Sequence, residues 1–244
     1  MSSSLKRAIV LAAGKGLRMR PITLKTPKPM VRVDGRMLID HALDRLEEAG
    51  VTEAIVNTHY LGDKLQQHLG KRKSPKIIFS PEVELLETGG GVKHALPLLG
   101  KKPFWVVNSD AFWLNGPTDA LARMASVWDE GNMDALLLLH STVEAYGYVG
   151  RGDFSCNTIG KLERRAEMEV APWLFTGIQL LKPETLENTP NGPFSLNVIY
   201  DRLLEQERLF GIVHDGEWFH IGTPDGLSEA EAYMKMRYPG VRHR

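Results

Sequence analysis

The chain has 244 residues, 43% hydrophobic and 25% charged, enough for one sizeable core with a small lid. Lysine plus arginine equals aspartate plus glutamate at 30 each, which argues against a general polyanion binder, so no nucleic-acid partner is expected. The single cysteine, Cys156, excludes an intramolecular disulfide and favours a reducing compartment, and no stretch approaches the ~20 apolar residues of a membrane span.

Apolar runs alternate with amphipathic runs through the first half. Strands are predicted at Ala8–Leu11, Ala54–Val56, Ile77–Phe79, Phe104–Val107 and Ala135–Leu139. Helices are predicted at Leu38–Ala49, Leu61–Leu69, Val92–Leu99 and Leu121–Trp128, the third opened by three glycines. This alternation predicts an α/β fold, a Rossmann-like three-layer αβα domain with a mostly parallel sheet. Residues Tyr146 to Glu169 are rich in Gly, Asp and Asn and read as a small β-hairpin or lid, with short pieces at Tyr148-Val149 and Lys161-Leu162. A buried strand follows at Leu174–Leu181 and a helix at Leu196–Glu205. Leu209–Val213 and Trp218–Ile221 are predicted to form a hairpin around Asp215-Gly216. Thr223 and Pro224 suit the N-cap and first position of a last helix, and the basic tail from Tyr238 is expected to fray. One domain over 1–244 is expected, with no signal peptide, no further module after the last helix, a cytoplasmic location and a monomeric state.

The most informative stretch is Leu11 to Pro29. A strand runs straight into Ala12-Ala13-Gly14-Lys15-Gly16, and Arg18 and Lys28 follow. A glycine loop can turn sharply and aim backbone N–H groups at phosphate oxygens, which the cations Lys15, Arg18 and Lys28 would neutralise. A P-loop is excluded because Leu17 and Arg18 follow Gly16, and a dinucleotide fingerprint is excluded by Met19 at the third glycine position. Pro21 disfavours helix at Arg20, so an extended loop is expected after the glycines. Pro27 and Pro29 stiffen the chain around Lys28 and would hold its amine in place.

Further candidates lie at the ends of later elements. Asp110 follows a buried strand, at the end where ligands bind in open α/β sheets. It suits either a metal site, since Mg²⁺ takes oxygen ligands, or the N-cap of the next segment. Asn108 and Asp153 carry the bifunctional groups that sugar hydroxyls need, and Asp153 suits a turn equally well. Gly177 would allow close approach at a strand facing a sugar. Cys156 has no second thiol or histidine nearby and reads as inert.

Gly14-x-Gly16-x-Arg18-x-x-Pro21-x-Thr23 with Pro27-Lys28-Pro29 resembles the signature of the sugar-1-phosphate nucleotidyltransferases. Leu86 to Gly91, Val107 to Asp110, Gly150 to Phe154 and Ile221 to Thr223 follow in the order of that family. Within it, the Glu87-to-Gly91 and Gly150-to-Phe154 segments are most similar to uridylyltransferases of cell-wall sugar recycling. The resemblance implies transfer of a nucleoside monophosphate from a nucleoside triphosphate to a sugar-1-phosphate, with release of pyrophosphate. It implies that Arg18 holds the leaving phosphates, that Lys28 meets the α-phosphate and that Asp110 binds the catalytic Mg²⁺. It also implies that Thr88, Gly89 and Gly90 lie over the base, with Glu82 and Glu87 nearby. His220 stands where that branch carries a second metal carboxylate. An imidazole there would favour Mn²⁺ over Mg²⁺. Guanylyl transfer to mannose- or heptose-1-phosphate, and a non-catalytic nucleotide-sugar-binding module, remain open at this point.

Overall fold

In the computed structural model, which describes residues 5–238, a sheet of nine strands is covered by helices on both faces. The chain runs β1 (Arg7–Leu11), β2 (Arg32–Val33), β3 (Arg36–Met37), α1 (Leu38–Glu48), β4 (Glu53–Thr58), α2 (Gly62–Leu69), β5 (Lys76–Pro81) and α3 (Glu87–Leu99). It continues through β6 (Phe104–Asn108), β7 (Ala111–Leu114), α4 (Ala120–Val127), β8 (Ala135–Ser141), β9 (Phe154–Cys156), β10 (Leu162–Arg164) and β11 (Trp173–Leu181). It ends with α5 (Asn197–Glu205), β12 (Leu209–Val213), β13 (Glu217–His220) and α6 (Pro224–Arg237).

β1 lies at the centre, parallel to β4 and to β6, and β5 extends the parallel set beyond β4. β11 is the antiparallel insert: it pairs β6 on one side and β8 on the other, and β12 closes that edge parallel to β8. Alternate strand residues face opposite layers. Ala8 and Val10 meet α1, α2 and α4, while Ile9 and Ile55 meet α3 and α5. This is the three-layer α/β architecture expected from the alternation of elements. Among the described residues no helix is long and apolar enough to cross a membrane.

A third, smaller core sits at the carboxyl ends of the parallel strands. Met19, buried at 0% exposure, packs there with Val31, Leu38, Phe112, Phe219 and Ile221 against Ala230 and Met234 of α6. Met19 thus anchors the glycine loop to the body of the protein. The loop, expected to stay extended after its glycines, instead coils through short 3₁₀ turns at Leu17–Met19, Ile22–Leu24 and Lys28–Met30. Each turn closes a local hydrogen bond, such as Met19 N–H to Gly16 O at 3.0 Å, and the first buries Met19.

Three further expectations are corrected. Leu209–Val213 and Trp218–Ile221 do not pair with each other. β12 completes the outer edge of β8, and β13 pairs antiparallel with β7, a strand not expected from the sequence. A hairpin would have left the apolar edge of β8 open and β7 without a partner. Tyr148-Val149 is not a strand. The hairpin of the Tyr146–Glu169 segment is β9–β10, and it joins the main sheet through Phe154 opposite Trp173. The three glycines do not precede a helix; they lie inside α3, which begins at Glu87. Thr223 does cap α6, accepting from Gly226 N–H at 3.2 Å, with Pro224 at its first position. The tail expected to fray lies, past Tyr238, outside the described residues.

Candidate active site

A cavity of about 510 Å³ opens at the carboxyl ends of β1, β4 and β6. Register puts these ends side by side: Val10 lies opposite Val56, and Leu11 opposite Asn108. Ala12, Ala13, Gly14, Gly16 and Arg18 line one wall, with Lys28, Asn108 and Asp110 on the floor and Thr88 and Glu87 on the facing rim.

The loop is held firmly where it is not exposed. Gly16 adopts φ +59°, a left-handed conformation that favours glycine, and a β-carbon there would press on Lys28 and Thr23 at 3.0 Å. Thr23 Oγ1 donates to Gly16 O at 2.7 Å, and Tyr60 Oη donates to Thr23 O at 2.9 Å. Among the described residues, the Gly14 and Lys15 amides and the Lys15 and Arg18 side chains have no protein partner. Free amides and free cations on one loop are the arrangement that receives phosphate.

Lys28 is mostly buried between Pro27 and Pro29 and forms an ion pair with Asp110 Oδ2. Asp110 is aimed by the tight turn from β6 into β7, which Ser109 N–H fastens to Leu11 O at 3.1 Å. Asn108, half-buried, reaches the cavity because Gly177 lies behind it. A β-carbon at Gly177 would meet Asn108 Nδ2 at 2.7 Å. Gly177 therefore supports the floor without lining it.

Other expected site residues fall outside the lining. Gly89 and Gly90 are buried in α3, where a β-carbon would strike Phe194 and Gly192 respectively; they seat the helix on that loop. Thr88 is both lining and structural, since its Oγ1 accepts from Leu196 N–H at 2.9 Å. Glu82 is buried behind the wall, hydrogen-bonded to Asn57 and Leu86. Asp153 does not line the cavity; its Oδ2 accepts from Phe175 N–H at 2.8 Å, beside the bulge in β11, as a turn-forming aspartate would. His220 is half-buried one layer back. Its ring lies over Gly222, which itself lines the cavity, and near Trp218 and Tyr148. Burial, reinforced by Lys28 and Arg18, holds its pKa below the usual imidazole value despite Asp110. Burial also pushes the Cys156 thiol up, in keeping with an inert residue.

Asn57 was missed. It is the penultimate residue of β4, at the cavity, 2% exposed, and its Oδ1 accepts from Ala12 N–H at 2.6 Å. The signal was a polar amide closing the apolar run Ala54–Val56 at the ligand-binding end of a parallel strand.

A glycine loop with free amides, free cations and a lysine–carboxylate pair at the strand ends defines a protein that handles a polyphosphate nucleotide. The chain belongs to the nucleotidyl transferase family, whose model matches residues 7–236. It is 43% identical to the N-acetylmuramate alpha-1-phosphate uridylyltransferase of Caulobacter vibrioides, over 96% of this chain and 99% of that one. It is 37% identical to the protein of the same name from Neisseria meningitidis serogroup B, over 93% and 97% of the two chains. The fold is shared with UDP-glucose pyrophosphorylase from Acinetobacter baumanii, at a TM-score of 0.77 and 20% identity, covering 97% of this chain and 95% of that one. The enzyme is a sugar-1-phosphate nucleotidyltransferase.

Proposed function

We propose that this enzyme transfers the uridylyl group of UTP to N-acetylmuramate-1-phosphate, releasing pyrophosphate, and serves cell-wall sugar recycling in the cytoplasm. The observation that carries the choice of substrates is the 43% identity, spread over nearly the full length of both chains, to a relative of that name. The chemistry is supported by the cavity itself. Lys28 and Asp110 face each other on its floor, and Lys15 and Arg18 have no hydrogen-bond or ion-pair partner among the described residues.

The sugar-phosphate oxygen attacks the α-phosphorus in line, its bond forms as the bond to the pyrophosphate oxygen breaks, and pyrophosphate leaves with the electron pair. No covalent enzyme intermediate is needed, so the residues act by positioning and by neutralising charge. Arg18, Lys15 and the free Gly14 and Lys15 amides hold the β- and γ-phosphates. Lys28 stands at the α-phosphate. Asn108 holds a sugar hydroxyl. Arg151, exposed on the Gly150–Asp153 loop and with no side-chain partner among the described residues, takes the lactyl carboxylate.

A divalent cation fits the donor set in a limited way. Among the described residues no group of three or more His, Cys, Asp or Glu side chains could hold a metal. Mg²⁺, however, commonly binds through one or two carboxylates plus substrate phosphates. Asp110, whose Oδ1 is free of the Lys28 pair, would hold it, with His220 as the candidate second ligand and Mn²⁺ as the alternative ion. Such an ion supplies charge neutralisation at the phosphate oxygens.

Pyrophosphate release measured with UTP, GTP, CTP and dTTP against N-acetylmuramate-1-phosphate, mannose-1-phosphate and glucose-1-phosphate tests the reading. UTP with N-acetylmuramate-1-phosphate is expected to give the highest kcat/KM. A preference for GTP with mannose-1-phosphate would overturn the substrates and leave the reaction class standing.

A further inference from the structure

From the cavity wall into the protein behind it runs a buried chain of hydrogen bonds that joins three segments distant in sequence. Asn57 Oδ1 accepts from Ala12 N–H at 2.6 Å. Asn57 Nδ2 donates to Glu82 Oε1 at 2.7 Å, and Glu82 Oε2 accepts from Leu86 N–H at 3.0 Å. The amide orientation of Asn57 is forced, because an N–H faces one end and a carboxylate the other. Glu82 is itself held by its backbone. Its N–H donates to Thr58 O at 2.8 Å, and its carbonyl oxygen lies 3.0 Å from His59 Nδ1. Both side chains are nearly sealed from water, at 2% and 6% exposure, so each partner matters.

The ends of this chain define the cavity. Ala12 opens the glycine loop, and Leu86 immediately precedes α3, where Leu85, Glu87 and Thr88 form the opposite rim. Gly91 explains why α3 lies so close. A β-carbon there would sit 2.8 Å from Asn57 Nδ2 and 2.9 Å from Glu82 Oε1. The third glycine of the triad therefore makes room for the Asn57–Glu82 bond.

We infer that Asn57 and Glu82 are positioning residues for the nucleotide. They hold the phosphate-receiving loop and the Leu85–Thr88 rim at a fixed separation, so both walls stand ready before the triphosphate arrives. The inference rests on the nucleotide reading of the cavity given above. It replaces direct contact of Glu82 with the base by action through Asn57.

The chemistry of the chain supplies its own test. Asn57→Asp sets two acceptors face to face with no hydrogen between them. Glu82→Gln leaves a donor against either the Asn57 amide or the Leu86 N–H. In the double variant the introduced glutamine donates to the introduced aspartate while its oxygen accepts from Leu86 N–H. The aspartate still accepts from Ala12 N–H, so every group is paired again.

Each single variant is expected to raise KM for UTP on the order of tenfold or more, the consequence of one unpaired buried group. KM for the sugar-1-phosphate should be unmoved, and the double variant should recover most of the UTP affinity. Amide exchange at Ala12 and Leu86 should quicken in the singles and slow again in the double. A merely structural role would lower the yield of folded enzyme and leave KM for UTP alone. Wild-type KM for UTP in both singles overturns the inference. So does a double variant that restores exchange protection without restoring UTP binding, because Asn57 would then meet the nucleotide directly. Should the singles not fold, the double variant decides by the same two readouts. A wild-type enzyme that neither binds UTP by calorimetry nor releases pyrophosphate from it, with intact protection at Ala12 and Leu86, strikes the proposed function instead.

Discussion

Two clusters of cations and carboxylates lie at opposite ends of the sheet's strands, and they are built differently. At the amino end of β8, Asp134 accepts from Lys182 Nζ at 2.9 Å and from Arg208 Nε and Nη2 at 3.2 and 3.0 Å. Both cations also donate to backbone carbonyls, Lys182 to Glu130 O and Arg208 to Gly131 O. That cluster is closed. At the carboxyl ends of β1 and β6, Asp110 pairs with Lys28, Arg18 lines the same cavity, and Lys15 and Arg18 have no hydrogen-bond or ion-pair partner among the described residues. That cluster is open and carries surplus positive charge. The same residue types make a clamp for the fold in one place and leave cations unsatisfied in the other, as the proposed phosphate site needs. Satisfaction of the hydrogen-bonding groups separates them.

The largest expected effect lies in the open cluster. Arg18→Ala and Lys28→Met should each lower kcat/KM by about 10²-fold or more, the scale of losing a preorganised donor. Arg18 is exposed, whereas Lys28 is mostly buried and paired. Arg18→Ala should therefore leave the thermal midpoint unchanged, and Lys28→Met should lower it by stranding Asp110. Near-wild-type turnover in both variants would end the assignment.

The closed cluster should answer in the opposite way. Asp134→Asn is expected to cost about 1–2 kcal/mol of stability, a charged hydrogen-bond network discounted for partial exposure, with kcat/KM unchanged. Burial alone would raise the Asp134 pKa, but hydrogen bonds from Arg208 and Lys182 outweigh it and hold the carboxyl below the usual range. Its contribution is therefore full above the unfolded value of about 4 and is lost as pH falls through the lower folded value. Urea unfolding between about pH 6 and 3 should show a shallower acid loss in Asp134→Asn than in wild type. Parallel curves would show that the cluster does not clamp the fold.

On the sugar side, Arg151→Ala should raise KM for N-acetylmuramate-1-phosphate by about tenfold, the loss of one charge-assisted contact, with KM for UTP unmoved. An equal rise for N-acetylglucosamine-1-phosphate, which lacks the lactyl carboxylate, would remove Arg151 from that role. The smallest effect concerns His220. If it ligates the cation, His220→Asp should shift the Mn²⁺-to-Mg²⁺ activity ratio toward Mg²⁺ by a few-fold. An unchanged ratio in both His220→Asp and His220→Ala would leave it as a packing residue over Gly222.

The sequence by itself determined the layered α/β fold and the make-up of the glycine loop proposed to receive phosphate. Both are written in consecutive residues: apolar periodicity for the strands and helices, and glycines, cations and prolines at fixed spacing for the loop. Asp110 was legible for the same reason, as a carboxylate just past a buried strand. Tertiary structure alone decided the rest. The pairing of β7 with β13 joins residues about a hundred positions apart, and Asn57 meets Ala12 and Glu82 across separate strands. The glycines of α3 look locally like a loop that opens a helix. They lie within α3, and they are glycines because Phe194, Gly192 and the Asn57–Glu82 bond occupy the space side chains would need. Close packing and long-range hydrogen bonds leave no local periodicity, so their specificity emerges only when the sheet brings the strand ends together.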